Sequence, residues 1–141
     1  LEKIKKEFNL IQIVMITDTK GLKRGNLLKH DTKGYGLVSS IFNETDFEVT
    51  IDNMPHKPDG FDYIEITNDI LDDLGFTYYG NHYWELPLGP GLILLISAFH
   101  NLMQIGSVIM TAPKYVHTLQ NMVYDLSRGK SLDTFKILQK L

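Results

Sequence analysis

Cysteine is absent from the 141 residues. With it go a disulfide framework, a thiolate nucleophile and any cysteine-ligated zinc or iron–sulfur site. A chain without cysteine suits a reducing compartment. Catalytic signatures are missing as well. The histidines at positions 30, 56, 82, 100 and 117 show neither HExxH spacing nor the i, i+4 pairing of a helix-borne metal site. There is no GxSxG elbow, no GxxxxGKS or GxxxxGKT phosphate loop and no GxGxxG fingerprint; Gly34, Tyr35 and Gly36 are followed by no helix. No metal and no cofactor is therefore expected. A secretory signature is lacking too. Lys3, Lys5 and Lys6 precede the apolar run LIQIVMI, but Gln12 interrupts it and no small-residue cleavage site follows, so the run reads as a buried strand. The longer run LGPGLILLISAFHNLMQIGSVIMTA holds His100, Asn101 and Gln104 in its middle and is broken at its start by Gly89, Pro90 and Gly91. It reads as buried strands around a polar connection, not as a membrane span.

What is present is a globular composition: 43% hydrophobic and 22% charged residues support a packed core instead of a disordered chain. The length fits one α+β domain over residues 1–141, mainly β to residue 66 and mixed from 67 onward. Charge is unevenly laid out. Residues 1–36 hold eight Lys/Arg against four Asp/Glu, residues 37–76 hold one against ten, and residues 77–141 hold five against three. An acidic middle repels bare nucleic acid and steers toward a basic partner, if folding gathers its carboxylates. Asp59, Asp62, Asp72 and Asp73 are candidates for such a surface.

Short segments follow one another with turn residues between them. GNLLKH, YGLVSSIF and DFEVTID read as strands. In the last, Phe47, Val49 and Ile51 alternate with Glu48, Thr50 and Asp52. Closely spaced short strands of this kind predict a small SH3-like or Tudor-like antiparallel barrel or sheet. DNMPHKPDG reads as a long loop and FDYIEI as a further strand. TNDILDDLGF carries agreeing helix signals: Thr67 as cap, Asp69 at the positive end, Ile66 against Leu71 as a staple and Gly75 as the stop. FTYYGNHYWEL reads as a hairpin turning at Gly80 and Asn81, with Tyr78, Tyr79, His82, Tyr83 and Trp84 around it. Those rings either lock the hairpin or anchor a partner.

From Lys114 to Arg128 the periodicity predicts a helix packed on sheet, with Tyr115, Val116, Leu119, Met122, Val123 and Leu126 toward the core. His117, Asn121, Tyr124 and Arg128 then fall in a line on the opposite side. That line reads either as a wet face or as a recognition surface. SLDTFKILQKL, with Ser131 as cap, predicts a last short helix.

RGNLLKH, YGLVSSI, EITNDILDDLGF, GNHYW and YVHTLQNMVYDLSRGKSL, in that order over residues 22–132, resemble segments of small accessory proteins of phages and mobile elements of Bacteroidetes-type bacteria. The resemblance implies a protein working in the cytoplasm of a bacterial host and supplies no catalytic residues. It points to a non-enzymatic inhibitor, anti-CRISPR-like, of a bacterial defence nuclease. Its partner would be a host protein or nucleoprotein with a basic surface, met through His117, Asn121, Tyr124 and Arg128, through Tyr79 and Tyr83, or through the carboxylates. A second copy of the chain is another partner for the helix line. The alternative is nucleic-acid binding by the basic N-terminal third, with Lys20, Lys23, Arg24, Lys29 and Lys33 on phosphates. A hydrolase using His56 with Asp59 is the third reading.

Overall fold

The structure, a computed structural model, describes residues 21–43 and 46–140. The expected strand at residues 10–16, together with Lys20 and Glu44, lies outside them. The three segments after Gly25 become β1 (Leu27–His30), β2 (Gly34–Ile41) and β3 (Phe47–Ile51), as their alternation predicts. Leu27 opposes Leu37, and Val38 opposes Val49. The proline loop is more structured than expected. Met54–His56 adds β4 alongside β3, its Pro55 on an edge strand where a missing N–H is tolerated. FDYIEI is a strand only at Phe61–Asp62, β5. Beyond it the chain leaves the sheet to meet a helix: Val116 N donates to Ile64 O at 2.8 Å and Ile66 N to Lys114 O at 2.9 Å. The first sheet runs β4-β3-β2-β1-β5, antiparallel and, among the described residues, open.

Helix α1 (Asn68–Asp73) forms as its local signals require. Thr67 Oγ1 accepts from Ile70 N at 3.2 Å, a cap contributing about 1 kcal/mol. Gly75 adopts φ +92°, and Phe76 N returns to Leu71 O at 3.0 Å. The second sheet follows: β6 (Thr77–Gly80), β7 (Tyr83–Gly89), β8 (Leu92–Ser97), β9 (Leu102–Ile105) and β10 (Val108–Thr111), in the order β10-β9-β8-β7-β6. Its first hairpin turns one residue later than predicted. Asn81 and His82, at φ +53° and +68°, are the two turn residues, because Gly80 already pairs with Tyr83 after an irregularity beyond Tyr78.

Helix α2 (Val116–Leu126) and the short α3 (Phe135–Leu138) complete the fold. In α3, Asp133 supplies the side-chain acceptor at the start, to Phe135 N at 3.0 Å. Ser131 was expected in that role. The main core is shared: Leu27 of the first sheet, Leu71 of α1, Leu94 and Met103 of the second sheet, and Leu119 of α2 belong to one buried cluster. A smaller cluster on the other face of the first sheet holds Leu28, Val38 and Val49, flanked by Phe47, Phe61 and Tyr63. Among the described residues, no helix is long and apolar enough to cross a membrane.

Candidate functional site

The predicted line on the helix divides in two. Residues Val116 to Asn121 of α2 are buried without interruption, because the first turns are enclosed by neighbouring elements rather than laid on one of them. His117, expected on an exposed line, is 0% exposed and stacks on Tyr63 with ring centroids 4.5 Å apart. Asn121 is buried as well, its Oδ1 accepting from Asn26 Nδ2 at 2.8 Å. Its neighbour Gln120 accepts from Leu27 N at 2.8 Å and donates to Gly25 O at 3.1 Å. These amides tie the helix to the strand that precedes it by more than ninety residues. His117 and Asn121 are corrected to interior residues. Tyr124 and Arg128, near and beyond the helix end, are exposed as expected. Leu126, assigned to the core, is exposed too. Burial, with the nearby Asp62 carboxylate and then Tyr115, raises the Tyr63 hydroxyl above the ordinary tyrosine range.

The carboxylates of the acidic middle lie on separate elements. Asp46 and Asp52 flank opposite ends of β3, Asp59 sits in the loop before β5 and Asp62 on β5, and Asp72 and Asp73 are on α1. Some meet cations: Asp73 pairs with Lys140, whose ammonium is held protonated to higher pH by that hydrogen bond, and Glu65 lies 3.6 Å from Lys114. The basic set also divides. Lys23 and Arg24 stand before β1, Lys33 stands on the turn after it, and Lys29 lies over the Tyr35 ring at 5.6 Å. Neither set forms a continuous track.

The second sheet carries a largely uncharged, partly exposed surface. No Lys, Arg, Asp or Glu occurs from Leu86 to Pro113, and Glu85 is the only charged residue in the five strands. Register places Leu86, Leu94, Ile105 and Val108 in one row across β7 to β10, and Glu85, Leu95, Gln104 and Ile109 in the row beside it on the opposite face. The first row enters the core through Leu86, Leu94 and Ile105. The second does not: Ile109 is 61% exposed, and Ile93 and Leu102 are exposed with it. A solvated sheet face ordinarily carries polar residues at these positions.

At one end of this sheet, the turn of the first hairpin meets the turn between β8 and β9 through aromatic rings. His82 stacks on Phe99 at 4.2 Å, Tyr83 stacks on His100 at 5.4 Å, and Phe99 and His100 meet edge-on at 5.0 Å. His100 Nε2 lies 3.2 Å from Asn81 O. The predicted pair Tyr79 and Tyr83 is therefore near this end, Tyr79 exposed and Tyr83 partly covered. Phe99, 71% exposed, and the outward residues Ile93, Leu102 and Ile109 were not foreseen. Their signal in the sequence is the uncharged stretch itself.

For catalysis the placement offers little. His82 stacks on a phenyl ring and is not hydrogen-bonded to Glu85. The closest histidine–carboxylate approach among the described residues is His30 Nδ1 to Asp31 Oδ1, 2.9 Å, where the same nitrogen also accepts from Thr32 N and Lys33 N. That is a turn-capping imidazole. Among the described residues, no three His, Asp or Glu side chains are placed to hold a metal ion. No protein-family model, no curated protein and no solved structure matches this chain.

Proposed function

We propose that this is a non-enzymatic binding protein that docks a partner protein on the outward face of the second sheet. The observation that carries the reading is the uncharged run from Leu86 to Pro113 with Ile93, Phe99, Leu102 and Ile109 exposed upon it. A largely apolar face with Glu85 as its only strand charge is suited to an apolar partner surface, because its strands offer no cation with which to hold nucleic acid and much area to remove from water. Tyr79, Tyr83 and Phe99 are the ring anchors of that face. In its concrete form the partner is a bacterial host nuclease and the protein its inhibitor in the host cytoplasm. That form rests on the segment resemblance alone, since the carboxylates expected to meet a partner's basic surface lie on different elements. The SH3-like or Tudor-like kinship of the first sheet belongs to the same proposal, supported by its meander of short strands.

The test compares three tagged proteins in affinity capture from a bacterial lysate: the natural chain, Ile93→Lys with Ile109→Lys, and Lys23→Gln with Arg24→Gln. A single host protein retained by the first and third and released by the second is the expected result. Equal retention by all three would remove the sheet face from the reading.

A further inference from the structure

Between the loop that leads into β1 and the last turns of α2 lies an open cavity of about 680 Å³, within the size range of small-ligand sites. Its walls are Leu22, Leu37, Ile41 and Leu132; its rim carries Lys23, Arg24 and the exposed ring of Tyr124; Ser131 and Thr134 add hydroxyls. Three buried amides, Asn26, Gln120 and Asn121, form the inner part. Among the described residues, no carboxylate lines it.

Those amides line the cavity with polar groups, and the rim sets its charge. All three carbonyl oxygens are already engaged. Asn26 Oδ1 accepts from Lys23 N at 2.7 Å, Gln120 Oε1 from Leu27 N at 2.8 Å, and Asn121 Oδ1 from Asn26 Nδ2 at 2.8 Å. Among the described residues each amide nitrogen likewise has one partner: Asn121 Oδ1 for Asn26, Gly25 O for Gln120 at 3.1 Å, and Gly21 O for Asn121 at 3.4 Å. Each oxygen has a second lone pair and each nitrogen a second N–H, so among the described bonds the amides can still accept or donate, and the preference for an anion comes from the rim. The rim adds a guanidinium with no carboxylate partner among the described residues, and an ammonium whose only described ion pair is Asp125 at 4.0 Å, with both side chains largely exposed. Such an exposed pair gives way readily to a better acceptor.

We infer that this cavity binds a small organic phosphate bearing a ring. The phosphate would sit at Lys23 and Arg24, where charge-assisted hydrogen bonds are strongest, and the ring against Tyr124 and the leucines. This is a second site, independent of the sheet face: it uses other residues, is polar and cationic where the sheet is largely apolar, and selects a different class of ligand. It also gives a place to members of both sets singled out in the sequence, Lys23 and Arg24 from one and Asn121 and Tyr124 from the other. A longer nucleic acid carries the same chemistry, and the experiment separates it from the monomer.

The experiment titrates the full chain with adenosine monophosphate, uridine monophosphate, adenosine, inorganic phosphate and a ten-nucleotide single strand. Amide NMR shifts and calorimetry are the readouts. A nucleoside monophosphate should bind with a Kd below about 1 mM and shift Gly25, Tyr124 and Ser131. Adenosine and phosphate alone should each bind at least about tenfold more weakly. Lys23→Gln with Arg24→Gln should weaken monophosphate binding about tenfold or more, and Tyr124→Ala several-fold. Both variants alter exposed side chains, so an unchanged thermal midpoint confirms that they fold. The proposal is overturned by absence of shifts at millimolar monophosphate, by unchanged affinity in the double variant, or by shifts confined to another part of the molecule. It is overturned as well if the single strand alone binds, which would assign the rim to nucleic acid.

Discussion

Along the first sheet, Lys29, Asp31, Lys33, Asp46, Glu48 and Asp52 alternate with or flank the apolar positions, while the five strands of the second sheet carry Glu85 alone. The first sheet is joined to α2 by a set of amide hydrogen bonds, and a close-packed glycine sits in its smaller cluster. The second meets the shared core with leucine, isoleucine, methionine and Trp84. Both sheets bury one face against the same cluster, so the core by itself does not account for the difference. It lies in the opposite faces. One carries the smaller buried cluster of Leu28, Val38 and Val49; the other leaves Ile93, Leu102 and Ile109 exposed. A surface with that much uncovered apolar area is costly to leave in water, and this is why the second sheet is assigned the partner.

The contrast can be tested from its strongest point downward. Leu94→Ala, in the inward row of the second sheet, should lower unfolding free energy by about 3 kcal/mol, because Leu94 is fully buried. The neighbouring Ile93→Lys should change it by less than about 0.5 kcal/mol while making the protein more resistant to aggregation. Urea unfolding of the pair reads both; comparable losses would mean that the outward face is covered in the molecule. In the first sheet, Gly36→Ala should cost about 1–3 kcal/mol, since an added Cβ would lie 2.7 Å from Val49 Cγ1 and 2.8 Å from the carbonyl oxygen of Thr50. Gln120→Ala should cost about 2 kcal/mol by leaving Leu27 N and Gly25 O without their partner. Thr118→Val should act in the opposite direction. Among the described residues its hydroxyl is buried without a hydrogen-bond partner, so removing it at constant shape should stabilise by about 1 kcal/mol.

The smallest effect concerns pH. Tyr63 holds its proton more tightly in the folded chain than in the unfolded one, so its contribution is complete below the ordinary tyrosine range and is lost as pH rises through that range and past the raised value. The thermal midpoint should fall above pH about 10, and Tyr63→Phe should flatten part of that fall.

Local chemistry was legible in the sequence. Thr67, Ile66, Gly75 and Phe76 define α1 within one stretch of chain, and each does in three dimensions what its side chain favours. The strands β1 to β3 follow from alternation in the same way. The hairpin turn was displaced by one residue, because two neighbouring positions, Gly80 and Asn81, both tolerate positive φ and the choice is made by pairing further down the strands. The helix line was misread for a different reason. Periodicity reports one apolar face and treats the rest as solvent, whereas the first turns of α2 are enclosed, so His117, stacked on Tyr63, and Asn121, bonded to Asn26, are polar residues held in the interior. The cavity could not be read at all. Lys23 and Tyr124 meet across about a hundred positions, and nothing local signals their approach. The uncharged stretch was visible all along, but as a question about membranes.

The amide tie between α2 and the start of β1 has a mechanical consequence. Asn26 and Asn121 are 95 positions apart, so the bond fastens the two ends of most of the described chain to each other. A protease cut at the exposed turn Asp52–Asn53 should therefore yield two fragments that stay together under native conditions and part only when denatured.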